Sequence, residues 1–265
     1  MPDRATDRRV ALVTGAARGL GRAIALELAH KAFDVVLNDA RDDDALRETG
    51  VLVRERGGEA ACLAQDIGDI AELPAYVARV RAAFGRLDCL VNNAGVSVLA
   101  RGDLLDVSAA SFDRCMRVNL RGTFFLTQQV ARHMLQSTGS PAPQGARRSI
   151  ITISSTAVGQ VIGRDIGEYT VSKAGLVAMT RLFAVRLAEH GIDCFDVRPG
   201  MMQTDMTDQV RAKFQALIDT GFIPAKRWGD PAEIGATIAN LASGALHYTV
   251  GQTVSLDGGQ PFKVH

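Results

Sequence analysis

The sequence is poor in the residues that would build a disulfide framework, a metal site or a strongly charged surface. Its four cysteines are scattered among 265 residues, without a CxxC pair or a nearby histidine that would complete a zinc site. Cys89 lies in an apolar run and is interpreted as a core residue. The 30 Lys and Arg against 29 Asp and Glu give a net charge of +1, which excludes a general attraction for nucleic acid or an anionic membrane. We therefore expect neither a metal site nor nucleic-acid binding.

Long apolar runs are also missing. The first nine residues are polar, and the run 10–13 that follows them is too short for the core of a signal peptide. No stretch approaches the roughly 20 apolar residues that span a bilayer. These absences predict a cytoplasmic protein without a membrane partner. The hydrophobic share of 47% is that of a globular protein, and we expect a single domain over residues 1–265.

Short runs rich in Val, Ile and Leu alternate with longer segments that have helical spacing. The predicted strands are 10–13, 34–37, 60–63, 89–91, 149–153, 192–197 and 253–256, and the predicted helices include 21–31, 73–84, 109–135 and 169–190. Asp230 followed by Pro231 signals a further helix start. Continuous apolar strands indicate a sheet that is covered on both faces. The pattern predicts an α/β fold, a doubly wound Rossmann domain of about seven parallel strands.

Two segments interrupt this alternation. Residues 137–148 are rich in Pro and Gly and are predicted to form a surface loop, either idle or a partner-binding lid. Residues 205–228 are amphipathic and follow the sixth strand. They are interpreted either as a flap over the substrate or as a plain surface helix pair that packs Phe214, Leu217 and Trp228.

A glycine-rich turn follows the first strand and opens the first helix. Residues 14–21 read Thr-Gly-Ala-Ala-Arg-Gly-Leu-Gly, with Gly15, Gly19 and Gly21 in GxxxGxG spacing. Glycines allow a tight turn and let the backbone approach a pyrophosphate, while the helix N-terminus offers free N–H groups. The turn therefore predicts a dinucleotide site.

The second strand is followed by an acid, Asp39. A carboxylate at that place accepts hydrogen bonds from the adenosine ribose hydroxyls and repels a 2′-phosphate, so it favours NAD over NADP. Arg18 in the turn and Arg41 just after the acid are near enough in sequence to reach a phosphate. NAD is therefore the expected cofactor, and NADP stays open. Asp39 has an alternative interpretation as a solvated loop acid.

Tyr169 and Lys173 are four residues apart on a predicted helix, which places both side chains on one face. A free Tyr has a pKa near ~10, and a nearby ammonium lowers it. Such a Tyr serves as general acid in ketone reduction and as general base in alcohol oxidation. Ser154, Ser155 and Thr156 end the fifth strand, where a hydroxyl would hold the substrate oxygen beside Tyr169.

Several short motifs together make the chain similar, over nearly its whole length, to the short-chain dehydrogenase/reductase family. It most resembles the members that are like bacterial 3-oxoacyl-[acyl-carrier-protein] reductases. The matching motifs are residues 14–21, Asp66-Ile67, Asn-Asn-Ala-Gly at 92–95, Asn119, Ser154-Ser155, Tyr169 with Lys173, Pro-Gly-Met-Met-Gln-Thr-Asp-Met at 199–206, and Asp-Gly-Gly at 257–259.

The resemblance implies roles for these residues. The implied catalytic residues are Asn119, Ser155, Tyr169 and Lys173. The implied cofactor-binding residues are Gly15, Arg18, Gly19, Leu20, Gly21, Asp39, Asp66, Ile67, Asn93, Ala94, Gly95, Tyr169, Lys173, Pro199, Gly200, Met202 and Thr204.

In this resemblance Asp66 and Ile67 hold the adenine, and residues 93–95 line the cofactor cleft. Residues 200, 202 and 204 grip the nicotinamide carboxamide. Lys173 binds the nicotinamide ribose and lowers the Tyr169 pKa, while Asn119 anchors a water that links Lys173 to solvent. A homotetramer is also implied, packed through long helices and the last strand.

The spacing between the catalytic hydroxyl and Tyr169 departs from the family pattern. The usual gap is thirteen residues, and counting back from Tyr169 selects Thr156, whereas Ser155 gives fourteen. We favour Ser155, because the strand end matches and the loop before Tyr169 accommodates one more residue. Ser154 is predicted to point the other way, because side chains alternate along a strand.

The sequence thus predicts an oxidoreductase that transfers hydride between NAD(H) and a secondary alcohol or ketone, of polyol, sugar-like or other small hydroxy type. The alternatives are an NADPH-dependent 3-oxoacyl thioester reductase and a non-catalytic dinucleotide-binding scaffold. A sugar-nucleotide epimerase is disfavoured, because the chain leaves no room for a separate substrate domain.

Overall fold

A seven-stranded parallel sheet carries the molecule, with strand order β3-β2-β1-β4-β5-β6-β7. The computed structural model describes residues 8–136, 147–159, 165–204, 207, 210–246 and 248–260. The strands are β1 Arg9–Thr14, β2 Phe33–Asn38, β3 Ala60–Cys62, β4 Cys89–Asn92, β5 Arg148–Ile153, β6 Ile192–Pro199 and β7 Thr253–Leu256. The prediction of a doubly wound α/β fold with seven parallel strands is confirmed.

Helices connect the strands and cover both faces of the sheet. Within the described residues, the α-helices are α1 Gly19–His30, α2 Asp44–Glu55, α3 Leu73–Phe84, α4 Ala109–Cys115, α5 Thr123–Gln136, α6 Gly167–Leu187, α7 Arg211–Asp219 and α8 Pro231–Ala242. Helix α8 begins as predicted, with Asp230 as N-cap in a capping box with Glu233. None of these helices combines the length and apolarity required to cross a membrane.

The structure differs from the sequence prediction at three places. Helix α2 was not among the predicted helices, although its amphipathic sequence begins after an Asp43 N-cap. Arg148, the last residue of the predicted loop 137–148, belongs to strand β5, and residues 137–146 lie outside the described part. The helix predicted over 109–135 is continuous in the structure, and its middle segment, Met116–Gly122 between α4 and α5, is π-helical rather than α-helical.

The sheet divides the apolar core into two clusters. On one face Ala11 and Val13 pack with residues of α1, α2 and α8, and on the other Val10 and Leu12 pack with residues of α3, α5 and α6. Such alternation is expected of strands that are covered on both faces. Cys89 is fully buried, as predicted. The strand order reverses between β1 and β4, which opens a crevice at the carboxyl ends of these strands.

The predicted flap 205–228 contains one described α-helix, α7. Phe214, Leu217 and Trp228 pack with Met201, Ile218 and Ile223 in a small cluster that is separate from the two main ones. Residues 205, 206, 208 and 209 of the flap lie outside the described part. The predicted packing of the three side chains is therefore confirmed, and it links the flap to the segment after β6.

Candidate active site

The glycine-rich turn lies at the carboxyl end of β1, on the reversal crevice. Gly15 and Gly19 have φ of +65° and +55°, values that favour glycine. A Cβ on Gly21 would lie 2.0 Å from the Gly15 carbonyl oxygen, so the turn and α1 approach as closely as backbone allows. Helix α1 begins without a side-chain cap or an acidic residue in its first turn. Its N-terminal N–H groups therefore suit a pyrophosphate, and the turn fits a dinucleotide.

Two polar side chains join this turn to the end of β4. The Thr14 hydroxyl accepts hydrogen bonds from the N–H groups of Asn93 and Ala94, at 3.0 Å each. The Asn93 amide nitrogen donates to the carbonyl oxygens of Thr14 at 2.8 Å and Gly15 at 3.1 Å. Thr14 had no predicted role, and Asn93 was predicted only to line the cofactor cleft. Both residues hold the shape of the turn.

Asp39 lies directly beside the glycine turn. Its carboxylate accepts hydrogen bonds from the N–H groups of Ala17 at 3.2 Å and Ala40 at 2.8 Å. The structure therefore places the acid where the sequence predicted it, next to the start of α1. Arg18 and Arg41 are both exposed.

Asp66 and Ile67 follow β3 on the same edge of the sheet. The Asp66 carboxylate accepts a hydrogen bond from the Gly68 N–H at 2.8 Å and forms an ion pair with Arg117 at 3.0 Å. Ile67 is buried. Arg117 lies in the π-helical segment, and its pairing with Asp66 was not predicted, because no local spacing relates the two residues.

The segment after β6 approaches the glycine turn from the opposite side. A Cβ on Gly19 would lie 3.8 Å from the Thr204 methyl carbon, which places the Thr204 side chain beside the turn. Met202 forms an isolated parallel bridge with Gly229, and its side chain is buried in the core. Pro199 ends β6, and Gly200 packs against Asp257. The side chain of Met202 is therefore occupied by packing.

Tyr169 and Lys173 lie in the first two turns of α6, and Ser155 faces Tyr169 from the end of β5. Burial raises the pKa of the Tyr169 phenol, and its hydrogen bond with Ser155 acts to lower it. Ser155 also accepts a hydrogen bond from the Ala157 N–H at 3.2 Å, as the N-cap of a short 3-10 turn. Among the three hydroxyls considered from the sequence, Ser155 is the one that interacts with Tyr169.

Ser154 points away from Tyr169, as strand alternation predicted. Its hydroxyl donates a short hydrogen bond to Asp196. This carboxylate is buried in β6 and also accepts hydrogen bonds from Arg198 at 2.7 Å and Thr253 at 3.1 Å. Asp196 was not predicted as a site residue, although an acid in a strand that is covered on both faces was a signal for it.

Lys173 is buried one helical turn after Tyr169. Its Nζ donates to the Ile153 carbonyl oxygen at 2.8 Å and lies 5.8 Å from the centroid of the Tyr169 ring. Burial lowers the pKa of Lys173 to about 8, and the negative charge of Asp196 acts to raise it. That Lys173 lowers the Tyr169 pKa stays a prediction, and in the structure burial has the largest influence on that pKa and raises it.

Asn119 lies in the π-helical segment and is fully buried. Its side-chain oxygen accepts from the Val96 N–H at 2.7 Å, and its amide nitrogen donates to the Val96 carbonyl at 3.0 Å and the Ser172 hydroxyl at 3.0 Å. Ser172 donates in turn to the Tyr169 carbonyl oxygen at 2.7 Å. The Asn119 side chain thus joins the chain after β4 to the turn that carries Tyr169. Such π-helical insertions are frequent at functional sites.

Gly95 has no side chain and therefore leaves room between the side chains of Asn119 and Lys173. A Cβ at this position would lie 3.3 Å from the Asn119 side-chain oxygen and 3.4 Å from Lys173 Nζ. The structure therefore brings Ser155, Tyr169, Lys173 and Asn119 together at the carboxyl edge of the sheet, beside the glycine turn.

Comparison with known proteins identifies this arrangement. A family model described as Enoyl-(Acyl carrier protein) reductase matches residues 15–260. The 2-dehydro-3-deoxy-D-gluconate 5-dehydrogenase of Escherichia coli is 36% identical over 255 residues, with 95% of this chain and 94% of that protein covered. A 3-oxoacyl-[acyl-carrier-protein] reductase of Staphylococcus aureus is 34% identical, with 94% of this chain and 96% of that protein covered.

A crystal structure of a 3-oxoacyl-[acyl-carrier protein] reductase from Brucella melitensis in complex with NAD has the same fold. It is 42% identical, with a TM-score of 0.91, and the match covers 97% of this chain and 99% of that chain. The chain is an oxidoreductase that belongs to the short-chain dehydrogenase/reductase family.

Proposed function

We propose that the protein transfers hydride between NAD(H) and a secondary alcohol or ketone, with Ser155, Tyr169, Lys173 and Asn119 as the catalytic residues. The observation that carries this proposal is the position of Tyr169, which interacts with Ser155 and lies one helical turn before the buried Lys173. The bound nicotinamide would supply the acceptor or donor of the hydride. The residues of this chain handle the proton and the orientation of the substrate.

Tyr169 moves the proton. In oxidation its phenolate oxygen accepts the proton of the substrate hydroxyl, and in reduction its phenol donates that proton to the developing alkoxide. Ser155 holds the substrate oxygen next to the Tyr169 oxygen in both directions. Burial raises the Tyr169 pKa, which favours the protonated phenol and hence the donor role that ketone reduction requires.

Lys173 and Asn119 support this step. Lys173 would bind the nicotinamide ribose and carry protons, and a pKa of about 8 lets it exchange protons close to neutral pH. Asn119 keeps the Tyr169 turn in place through Ser172. The water that the family resemblance assigns to Asn119 remains a prediction, since the described contacts occupy its side-chain amide.

NAD is the proposed cofactor. Asp39 lies against the N-terminus of α1, where a 2′-phosphate on the adenosine ribose would meet its negative charge. The Brucella melitensis relative was solved with NAD, which agrees with this choice. The exposed Arg18 and Arg41 favour the alternative, an NADPH-dependent reductase of 3-oxoacyl thioesters. A non-catalytic dinucleotide-binding scaffold is disfavoured, because it has no need of a Tyr placed beside a Ser and a Lys.

The remaining implied cofactor contacts belong to the same proposal. Asp66 and Ile67 would hold the adenine, residues 93–95 would line the cleft, and residues 199–204 would hold the nicotinamide carboxamide. For Met202 the contact would come from the backbone, because its side chain is packed in the core.

A homotetramer in the cytoplasm completes the proposal. Leu182 and Val185 of α6 expose 69% and 76% of their surface, which is a large apolar exposure for a long helix. Val250, near the start of β7, is also exposed. These surfaces suit the packing of long helices and last strands between copies of the chain.

Binding of NAD⁺ and NADPH, measured side by side, tests the cofactor assignment, and a panel of polyols, sugar alcohols and 3-oxoacyl thioesters tests the activity. Tighter NAD⁺ binding together with alcohol oxidation supports the dehydrogenase. Tighter NADPH binding together with thioester reduction would replace it with the reductase alternative.

A further inference from the structure

Three segments that border the candidate active site meet at one carboxylate, Asp165. Arg101 lies in the chain between β4 and α4, Asp165 lies four residues before Tyr169, and Lys213 lies on flap helix α7. Arg101 Nη1 is 3.2 Å and Lys213 Nζ is 3.9 Å from the same Asp165 oxygen, Oδ2. We refer to Arg101, Asp165 and Lys213 as the mouth cluster.

Within the described residues, the mouth cluster has a net positive charge and hydrogen-bond donors that contact no acceptor. Two cations face one carboxylate, which leaves a formal charge of +1. Arg101 uses one N–H on Asp165, although a guanidinium has five. Lys213 is too far from Asp165 for a hydrogen bond, so its ammonium interacts by charge alone. All three side chains are partly exposed.

The cluster is built differently from the surface ion pairs elsewhere in the molecule. Most of those pairs join residues of one helix or of neighbouring elements, whereas the mouth cluster joins the loop after β4, the start of α6 and the flap. Gly167 packs against Leu104, which holds the loop after β4 against the same helix start. Two cations are thus held where the loop after β4, the start of the helix that carries Tyr169, and the flap meet.

We propose that Arg101 and Lys213 form an anion subsite that binds the carboxylate or phosphate of the substrate while its hydroxyl or ketone lies at Ser155 and Tyr169. This inference rests on the proposed function and narrows its substrate class to anionic hydroxy or oxo compounds. Asp165 orients both cations and limits their repulsion in the absence of the anion. A carboxylate can accept from the free N–H groups of Arg101 and from Lys213 at once.

The names of the similar proteins agree with an anionic substrate. The Escherichia coli relative is a dehydrogenase of 2-dehydro-3-deoxy-D-gluconate, which carries a carboxylate. The Staphylococcus aureus relative acts on a thioester of acyl-carrier protein, whose pantetheine arm carries a phosphate. The two sources share the same chemistry at the subsite, and an experiment can separate them.

The test compares each anion with a neutral partner of the same shape. D-gluconate is paired with D-gluconamide, and 3-oxobutyryl-coenzyme A is paired with its N-acetylcysteamine thioester, which has no phosphate. Wild type, Arg101→Gln and Lys213→Gln are measured, and Arg56→Gln is the control. Arg56 forms a comparable exposed pair with Glu27 at 3.8 Å, at the far end of α2.

We expect kcat/KM for the accepted anion to fall about tenfold in each cluster variant, mainly through KM, because a lost charged hydrogen bond corresponds to roughly one factor of ten. The neutral partner is expected to change less than twofold, and the control variant is expected to leave both unchanged. The pair that shows this difference identifies carboxylate or phosphate as the source. Equal losses for the anion and the neutral partner would overturn the subsite and leave the cluster as a latch of the flap.

A binding measurement keeps the inference separate from the catalytic proposal. Calorimetric titration of the NAD⁺-loaded protein with D-gluconate and with coenzyme A needs no turnover. If neither anion binds the wild type more tightly than Arg101→Gln, the subsite is wrong even where neutral ketones are reduced. If anion binding depends on Arg101 while no alcohol or ketone reacts with either cofactor, the subsite stands and the proposed function fails.

Discussion

The cofactor half and the substrate half of the molecule are built by different means. Around β1 and α1, backbone groups lie in contact: Gly21 touches the Gly15 carbonyl, and Thr14 and Asn93 close the turn with hydrogen bonds. Around the flap, Phe214, Leu217 and Trp228 form a small separate cluster, and charged side chains of the mouth cluster bridge the segments. Backbone groups in direct contact leave no room for an added atom, whereas the side chains of an ion pair can be substituted without moving the backbone. The glycine turn is therefore fixed by backbone contacts, and we expect substrate choice to depend on the replaceable side chains of the flap and the mouth cluster.

The largest effect in this comparison is expected from the residue where the two halves meet. Tyr169→Phe removes the phenol oxygen, and turnover is expected to fall by about 10³-fold or more, since a general acid–base group contributes roughly 10²- to 10⁴-fold. NAD⁺ affinity should stay within twofold. Steady-state kinetics and calorimetry measure the two quantities. Tyr248→Phe is the control, because Tyr248 is fully exposed. A Tyr169→Phe protein with ordinary turnover would exclude the proposed mechanism.

Adding one methyl group at Gly21 tests whether the glycine turn is rigid. Gly21→Ala places a Cβ against the Gly15 carbonyl and the Asn93 amide, neither of which can move without opening the turn. Overpacking of this kind costs about 1–3 kcal/mol, so we expect NAD⁺ affinity to fall about 10- to 100-fold and Tm to decrease. Gly102→Ala is the control, because nothing lies within 4 Å of a Cβ there. Unchanged NAD⁺ binding in Gly21→Ala would show that the turn is not a close-contact site.

Cofactor preference is expected to respond less strongly. Asp39→Ser removes the charge that would repel a 2′-phosphate, and the ratio of NAD⁺ to NADP⁺ affinity should fall about tenfold, equivalent to about 1.4 kcal/mol. Titration of both cofactors measures the ratio. Asp42→Ser removes an exposed acid of the same loop that pairs with Arg47, and should leave the ratio unchanged. A wild-type preference for NADP⁺ would mean that Arg18 and Arg41 outweigh Asp39.

The smallest expected effect is a shift in pH dependence. The Asp196 carboxylate raises the pKa of Lys173, so Asp196→Asn lowers that pKa further below its present value of about 8. Activity that requires the charged ammonium is lost as pH rises through this pKa, and the falling limb of the kcat profile should therefore move to lower pH. Thr253→Val is the matched control, because it removes one hydrogen bond to Asp196 without removing the charge. If the falling limb of the kcat profile stays at the same pH in Asp196→Asn, the charge of Asp196 does not control the pKa of Lys173.

Local patterns were sufficient for much of the cofactor half. Strand runs, the glycine spacing and the acid after β2 are contiguous features, and each predicted strand is present. The Tyr169–Lys173 spacing also placed both residues correctly, because four residues make about one helical turn. Helix α2 was missed because its apolar positions are few, and the π-helical segment inside the long helix was missed because such a segment leaves no distinctive composition.

Contacts between distant segments were not predictable. Asp66 with Arg117, Asp196 with Ser154, and the mouth cluster each join residues of different elements. Alternation correctly predicted that Ser154 points away from Tyr169, but the choice between Ser155 and Thr156 depended on the structure, since the spacing to Tyr169 favoured Thr156 and the strand end favoured Ser155. One additional residue in the loop before Tyr169 is enough to change which hydroxyl the spacing selects.

The doubly wound fold, the glycine turn after β1 and the spacing of the Tyr–Lys pair were predictable from the sequence alone, because they follow from short periodic patterns and backbone requirements. The folded arrangement was needed to show which hydroxyl meets Tyr169, that burial raises the Tyr169 pKa, and which charges meet at Asp165. Desolvation and long-range charge depend on what surrounds a group in space. The reactivity of each side chain therefore depends on the residues that surround it in the folded protein, and its neighbours in the sequence do not reveal that reactivity.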